Sequence, residues 1–327
     1  MIYPDLSEAK QLAASNTTVP IALELFSDRK TPIDVLQRIS KQSGQWFILE
    51  SVSGGDSWGR YTFMGYKPVL SIYGTDDRVT VVNGMQKSLE QQDALAVIRD
   101  YLDRFKSPRL PYLPPFTGGF VGYFAYDFVK RFIPGLKLSA ANQEGFRDFH
   151  LMLIDRVIAF DHFRQKIFVI VNIPAQDIEN NYIQGVMELK DIERIIMDGD
   201  ACIDEPSAVC GEFRPLFTEG EFAAMIGKVK EHIVEGDIFQ AVLSNRFQAP
   251  FKGSLMNTYR LLRTTNPSPY MVHMRLDDLE IACSSPETLV ALRDGTVSSF
   301  PLAGTCPRGA TEEEDDALLE ALLSDAK

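Results

Sequence analysis

Thr305 and Arg308 are the residues whose types and spacing most directly offer chemistry. They lie in the stretch Phe300-Pro301-Leu302-Ala303-Gly304-Thr305-Cys306-Pro307-Arg308-Gly309. The threonine hydroxyl donates and accepts hydrogen bonds, and the guanidinium is a planar fork of donors that fits a carboxylate or phosphate. Pro301 and Pro307 fix φ and remove two amide donors, while Gly304 and Gly309 let the backbone bend or let a ligand come close. A stiff loop with exposed amides, a hydroxyl and a cation suits a small anion. The same residues also make an ordinary strand-to-helix connection, and composition alone leaves both readings open.

Glu50 and Ser51 form a second pair, at the end of the aromatic and β-branched run Gln45-Trp46-Phe47-Ile48-Leu49. A carboxylate beside a hydroxyl suits an ammonium group, although strand ends commonly carry polar residues. Gly118-Gly119-Phe120-Val121-Gly122 has the glycines of a nucleotide loop but neither Gly-x-x-x-x-Gly-Lys nor Gly-x-Gly-x-x-Gly. It reads instead as a buried strand with close backbone packing. Cys202, Cys210, Cys283 and Cys306 form no Cys-x-x-Cys pair and accompany no His cluster, so they read as free thiols.

The elements that must position these groups follow from local signals. Strands are expected over residues 19–26, 45–51, 61–64, 69–73, 78–82, 151–160, 166–173 and 238–247. Asn83-Gly84 reads as a two-residue hairpin turn. Further hairpins are expected across Asp277-Asp278 and Asp294-Gly295. Thr31-Pro32 opens one helix, Thr218 with Glu221 makes a capping box for another that Gly236 ends, and Thr311 with Glu314 caps the last. Helices are also read over 91–105, 175–197 and 254–265, and residues 107–115 as an exposed, proline-rich crossing. The alternation of strands, hairpins and helices gives an α+β fold, two interlocked layers of largely antiparallel sheet with packed helices.

At 327 residues the chain can bury a large core and reads as two domains, 1–205 and 206–327, joined through a polar segment at 199–215. The net charge of −12 and the lack of a basic block exclude a nucleic-acid or anionic-membrane partner. An anionic substrate then needs a local basic pocket. With no signal-peptide pattern at the start and no apolar run of membrane-helix length, the chain reads as cytoplasmic.

The loop at 300–309 resembles the Pro-Ile-Ala-Gly-Thr-Arg-Pro-Arg-Gly signature of chorismate-using enzymes, in the version seen in anthranilate synthase component I. Asp237-Ile238-Phe239-Gln240, Ser285-Pro286-Glu287-Thr288-Leu289-Val290, Asn266-Pro267-Ser268-Pro269-Tyr270-Met271 and Leu49-Glu50-Ser51 resemble further motifs of that family, in family order. Cys306 departs from it, standing where the family usually has Arg.

The resemblance implies that chorismate receives ammonia, loses its ring hydroxyl and eliminates pyruvate to give anthranilate, in tryptophan biosynthesis. The ammonia comes from glutamine through a glutamine amidotransferase subunit. It implies Gly304 and Thr305 as substrate-binding residues and Gln240, Glu287 and Arg308 as pocket residues. Glu50, Ser51, Pro269, Tyr270 and Met271 are implied to surround tryptophan, the feedback inhibitor. The family's magnesium ligands and catalytic His fall later than Lys327, and the last helix carries no stop signal. The expectation is therefore the N-terminal two-thirds of a longer protein, catalytically incomplete alone, with no metal ligand or catalytic residue assigned within it.

Ala303 separates close relatives, since aminodeoxychorismate synthases often carry a nucleophilic Lys there and alanine cannot do that chemistry. Aminodeoxychorismate synthase component I and a non-catalytic tryptophan-binding fragment remain the alternatives.

Overall fold

A computed structural model describes residues 2–51, 59–75, 78–90, 93–133, 135–136, 142, 144–200, 206–300 and 305–324. The first half runs β1 (Ile2–Tyr3), α1 (Leu6–Ala13), β2 (Thr18–Phe26), α2 (Pro32–Ser40), β3 (Gln45–Glu50), β4 (Tyr61–Tyr66), β5 (Leu70–Thr75), β6 (Arg78–Asn83), β7 (Gln86–Glu90) and α3 (Ala94–Arg104). It continues through β8 (Gly119–Phe124), a 3-10 helix (Tyr126–Arg131), β9 (Phe149–Ile154), β10 (Arg156–Asp161), β11 (Lys166–Pro174) and α4 (Ile178–Asp198). Short strands β12 (Ala208–Val209) and β13 (Arg214–Pro215) lead to α5 (Glu219–Glu235), β14 (Phe247–Gln248), β15 (Phe251–Lys252) and α6 (Met256–Thr265). Two hairpins follow, β16 (Tyr270–Leu276) with β17 (Leu279–Ser285) and β18 (Ala291–Arg293) with β19 (Thr296–Ser298), then α7 (Glu312–Ser324).

Alternation along the strands builds the layers. In β2 and β11, Ile21, Leu23, Ile167, Val169 and Val171 face one core, while Ala22, Phe168 and Ile170 face another. Both faces are apolar because both are covered. Helices α2, α4 and α6 pack on the first face through Leu36, Leu189 and Tyr259. The second face meets a five-stranded sheet, ordered β7-β6-β5-β9-β8, whose far side is closed by α3 through Val97 and Ile98. The larger sheet has eight strands in the order β1-β2-β11-β10-β4-β3-β16-β17, and the pairs of both sheets are antiparallel. The α+β architecture of antiparallel layers with packed helices is the one the sequence implies. The β16–β17 hairpin of the second half thus completes a sheet begun by the first. No helix of the described residues is long and apolar enough to cross a membrane.

Several local readings need correction. The strand expected over 151–160 is two strands, broken at Asp155, because the chain there leaves the smaller sheet for the larger. The strand expected over 238–247 does not form; only Phe247 and Gln248 pair, with β13. Phe239 and Val242 stand 99% and 93% exposed, and a strand without a ladder leaves its backbone groups to water. The proline-rich crossing is partly buried: Leu113 enters the core between the sheets, and the Tyr112 hydroxyl donates to Glu8 at 2.8 Å. Residues 119–124 are a strand, but only Val121 is buried. The Asn83-Gly84 turn slips by one residue: Asn83 pairs with Gln86, so Gly84 takes the first central position at φ +58°.

Two titratable groups, His150 buried on β9 and Asp155 half-buried at the break between β9 and β10, pull the stability in opposite directions with pH. Burial, reinforced by the neighbouring Arg147 cation, pushes the His150 imidazole down to about 4. Its folded value lies below the unfolded one, so its stabilisation is present above about pH 6.5 and is lost as the pH falls through 4. The span corresponds to about 3 kcal/mol. Burial pushes the Asp155 carboxyl up to about 6, so its unfavourable contribution is relieved as the pH falls below that value. His150→Gln removes the first effect and leaves the second. Urea unfolding at pH 7 and pH 4 is expected to show the variant gaining about 3 kcal/mol on the wild type between the two. An unchanged difference would mean that His150 titrates alike in both states.

Candidate functional site

Strand β3 ends at Glu50, and β16 begins at Tyr270. Their register sets Met271 directly opposite Glu50 and His273 opposite Ile48. Two segments far apart in the chain, 49–51 and 269–271, therefore lie side by side in one sheet. Glu50 is buried, and its carboxylate accepts from the Tyr259 hydroxyl at 2.6 Å and from Arg263 Nη2 at 2.8 Å. Arg263 Nε lies 2.6 Å from the second oxygen, an ion-pair contact that lacks the alignment of a hydrogen bond. Burial first, then the Glu50 charge, drives the Tyr259 phenol far above its ordinary value, so it acts only as a hydrogen-bond donor here.

The Ser51 hydroxyl oxygen is buried and has no hydrogen-bond partner among the described residues. Such a group costs stability unless something pairs with it. Pro269 and Tyr270 are half-buried, and the Tyr270 hydroxyl bonds that of Thr288. Met271 is fully buried in the first core, its sulfur 3.3 Å from the Ser268 hydroxyl. Of the expected set, the sheet register joins Glu50 to Met271, and Ser51 and Tyr270 are the residues next to that pair along the chain.

Tyr259 and Arg263 were not singled out from the sequence. They stand four residues apart on α6, one turn of one face, directly before the Asn266-Pro267 stop. That spacing of an aromatic and a cation is the local signal that marks them; their partner is set by the β3–β16 pairing. Behind them the buried His273 ring packs edge-on against Trp46 with centroids 4.7 Å apart, and lies 4.9 Å from that of Tyr259. His273 Nε2 lies 3.0 Å from Glu280. Burial opposes ionisation of Glu280, but hydrogen bonds from His273, Ser254 and the Leu255 amide hold its carboxyl below the usual range.

The loop toward α7 is more open. Gly304 and Ala303 lie outside the described residues. Thr305, Cys306 and Arg308 are exposed, as are Gln240 and Glu287. The Arg308 guanidinium is engaged by the protein itself, with Nε donating to Asp315 at 2.8 Å, and the Gly309 amide donates to the same carboxylate at 2.8 Å. An incoming carboxylate would compete with Asp315 for this cation. Cys210, Cys283 and Cys306 are free thiols, and Cys202 lies outside the described residues.

Among the described residues, His232, Glu235 and Asp237 bring ligand atoms within 4.8 Å of one another. All three are exposed, and His232 Nδ1 and Asp237 already share a hydrogen bond at 2.8 Å. Magnesium takes oxygen ligands in near-octahedral geometry. One imidazole and two surface carboxylates, already bonded to each other, do not fit it.

The sequence matches the family described as chorismate binding enzyme over residues 50–327. It is 37% identical to anthranilate synthase component 1 of Acetivibrio thermocellus, an alignment covering 100% of this chain and 68% of that protein. It is also 37% identical to anthranilate synthase component 1 of Aquifex aeolicus strain VF5, covering 98% of this chain and 66% of that one. The chain thus spans about two thirds of the length of these curated relatives. The crystal structure of anthranilate synthase component I from Streptococcus pneumoniae TIGR4 superposes with a TM-score of 0.62 at 27% identity, over 92% of this chain and 64% of that one. The antiparallel layers, the motifs in sequence order and these matches agree: the chain belongs to the chorismate binding enzyme family.

Proposed function

We propose that the chain is the chorismate-using component of an anthranilate synthase whose output is regulated at the β3–β16 junction. Chorismate and ammonia give anthranilate, pyruvate and water. The ammonia derives from glutamine through a glutamine amidotransferase subunit, in keeping with relatives named as component 1. Ala303 favours direct attack by ammonia over a lysine nucleophile. Thr305 offers the substrate an exposed hydroxyl, and Arg308 offers a cation that must first leave Asp315. Magnesium, if bound, would supply Lewis-acid chemistry. The described residues supply no fitting site for it, so no role toward the metal is assigned to them.

The observation that carries the regulatory reading is the buried Ser51 hydroxyl, without a partner among the described residues, beside Glu50 and next to the 269–271 segment. A tryptophan ammonium would meet Ser51 and share the Glu50 carboxylate with Arg263. Pro269 and Tyr270 would border its indole. A ligand joining β3 to β16 shifts an equilibrium only by its differential affinity for the two arrangements. Control would then reach the 305–309 loop through the second half, without blocking that loop.

The test is Ser51→Ala in the full-length enzyme with its partner, assayed by anthranilate fluorescence. Tryptophan inhibition is expected to weaken about tenfold, one charge-assisted hydrogen bond, while kcat/KM for chorismate stays near the wild-type value. Unchanged inhibition, or activity lost in parallel, would remove Ser51 as a regulatory contact. A wild-type enzyme yielding aminodeoxychorismate in place of anthranilate would overturn the assignment of the reaction.

A further inference from the structure

At the end of β16 away from Glu50 lies a cavity of about 930 Å³. Its walls include Phe247 and Phe251 from the short strands, Leu255 at the start of α6, and Leu276 and Leu279 at the β16–β17 turn. These give it flat, apolar sides. Tyr123 and His150 line it from the smaller sheet, and Arg147 from the segment just before β9. None of the residues considered above for chorismate or tryptophan does.

His150 decides its chemistry. The side chain is 1% exposed. Its Nδ1 lies 2.9 Å from Arg147 Nη1. A guanidinium has no acceptor, so the arginine donates and Nδ1 must accept. The proton of the neutral ring is therefore on Nε2, and Nε2 is buried with no hydrogen-bond partner among the described residues. A buried N–H donor without an acceptor is costly to leave unpaired.

Arg147 is half-buried beside it, its guanidinium carbon 3.6 Å from the centroid of the Tyr73 ring. Among the described residues no carboxylate forms an ion pair with it, whereas the other carboxylates around the cavity are largely committed. Glu144 is held by Arg246 at 3.2 Å and Gln248 at 2.9 Å, and Glu280 by Ser254 and His273. Asp278 is exposed, lines the same cavity, and places a negative charge that acts on His150.

Arg147, with no carboxylate paired to it among the described residues, and His150, whose buried N–H finds no acceptor among them, both line one cavity with aromatic walls. We propose that this cavity is a second ligand site, for a small carboxylate carried on a flat apolar ring, with the carboxylate received by Arg147 and His150 Nε2–H. The inference is independent of the reaction proposed above and of the Ser51 junction.

Benzoate and its neutral isostere benzamide are the probes, titrated against the purified chain at pH 7 by saturation-transfer NMR. Benzoate is expected to bind saturably and benzamide at least tenfold more weakly. Arg147→Gln and His150→Phe are each expected to weaken benzoate tenfold or more, the loss of a hydrogen bond to a charged group. Arg308→Gln and Ser51→Ala are expected to leave it unchanged. Failure of benzoate to saturate, equal binding of benzamide, or wild-type affinity in both cavity variants overturns the proposal. So does loss of binding in Arg308→Gln, which would put the probe at the 305–309 loop. Melting curves report whether His150→Phe folds; if it does not, the benzamide comparison and Arg147→Gln decide.

Discussion

Arg263→Met is expected to lower the free energy of unfolding by about 3–5 kcal/mol, the cost of leaving a buried charge without its partner. The Glu50 side chain is 3% exposed and that of Arg263 27%. Once the guanidinium is gone, only the Tyr259 hydroxyl still reaches the carboxylate among the groups described around it. Methionine keeps much of the stem's packing, so the loss reports charge more than volume. Urea unfolding at pH 7 measures it. Glu50→Leu in the Arg263→Met background is expected to recover most of the loss, because an apolar pair of similar volume often replaces a buried ion pair at little cost. A double-mutant cycle separates the coupling from the single effects. A loss below about 1 kcal/mol would class the pair with solvent-exposed ones.

Gly122→Ala is expected to cost about 3 kcal/mol or more, the upper range for overpacking, because the group in the way is main chain. Gly122 pairs with Leu151 in the β8–β9 ladder. A methyl group there would overlap the His150 carbonyl oxygen and sit 2.8 Å from Leu151 Cα. Neither atom is the end of a flexible side chain, so the two strands must part. Hydrogen exchange is expected to show the change as lost protection of the β8 and β9 amides, with the α4 amides following the global stability. A variant as stable as the wild type would mean that the ladder relaxes at this point without separating.

The legible parts of the fold are those decided within a few residues. Thr31 caps α2 through the Asp34 amide, Thr218 and Glu221 close a capping box, and Gly236 ends α5 in the left-handed region. Asp294 and Gly295 take the positive φ values that their hairpin turn needs. What the sequence left hidden is decided by neighbours. Nothing local marks Asp155 as the point where the chain changes sheets. Residues 238–246 have the composition of a strand, but no described strand pairs with them. At the junction, Glu50 and Ser51 carry readable chemistry, and the resemblance supplied Tyr270 and Met271 as their companions. Tyr259 and Arg263 were missed because a helix face does not announce what it will be laid against. His150 was missed for the same reason: on sequence it is one polar residue in an apolar strand.

The order of strands in the larger sheet also has a consequence for synthesis on the ribosome. Glu50 ends β3, and its partner Arg263 lies 213 residues later. At roughly 5–20 residues per second, β3 waits on the order of 10–40 seconds for α6 and β16 to be made. During that interval its outer edge is an open row of amides and carbonyls, a template for the wrong strand. Glu50, unpaired in the nascent chain, keeps a carboxylate at the end of that edge. The charge that later anchors α6 thus discourages nascent chains from pairing edge to edge before β16 arrives.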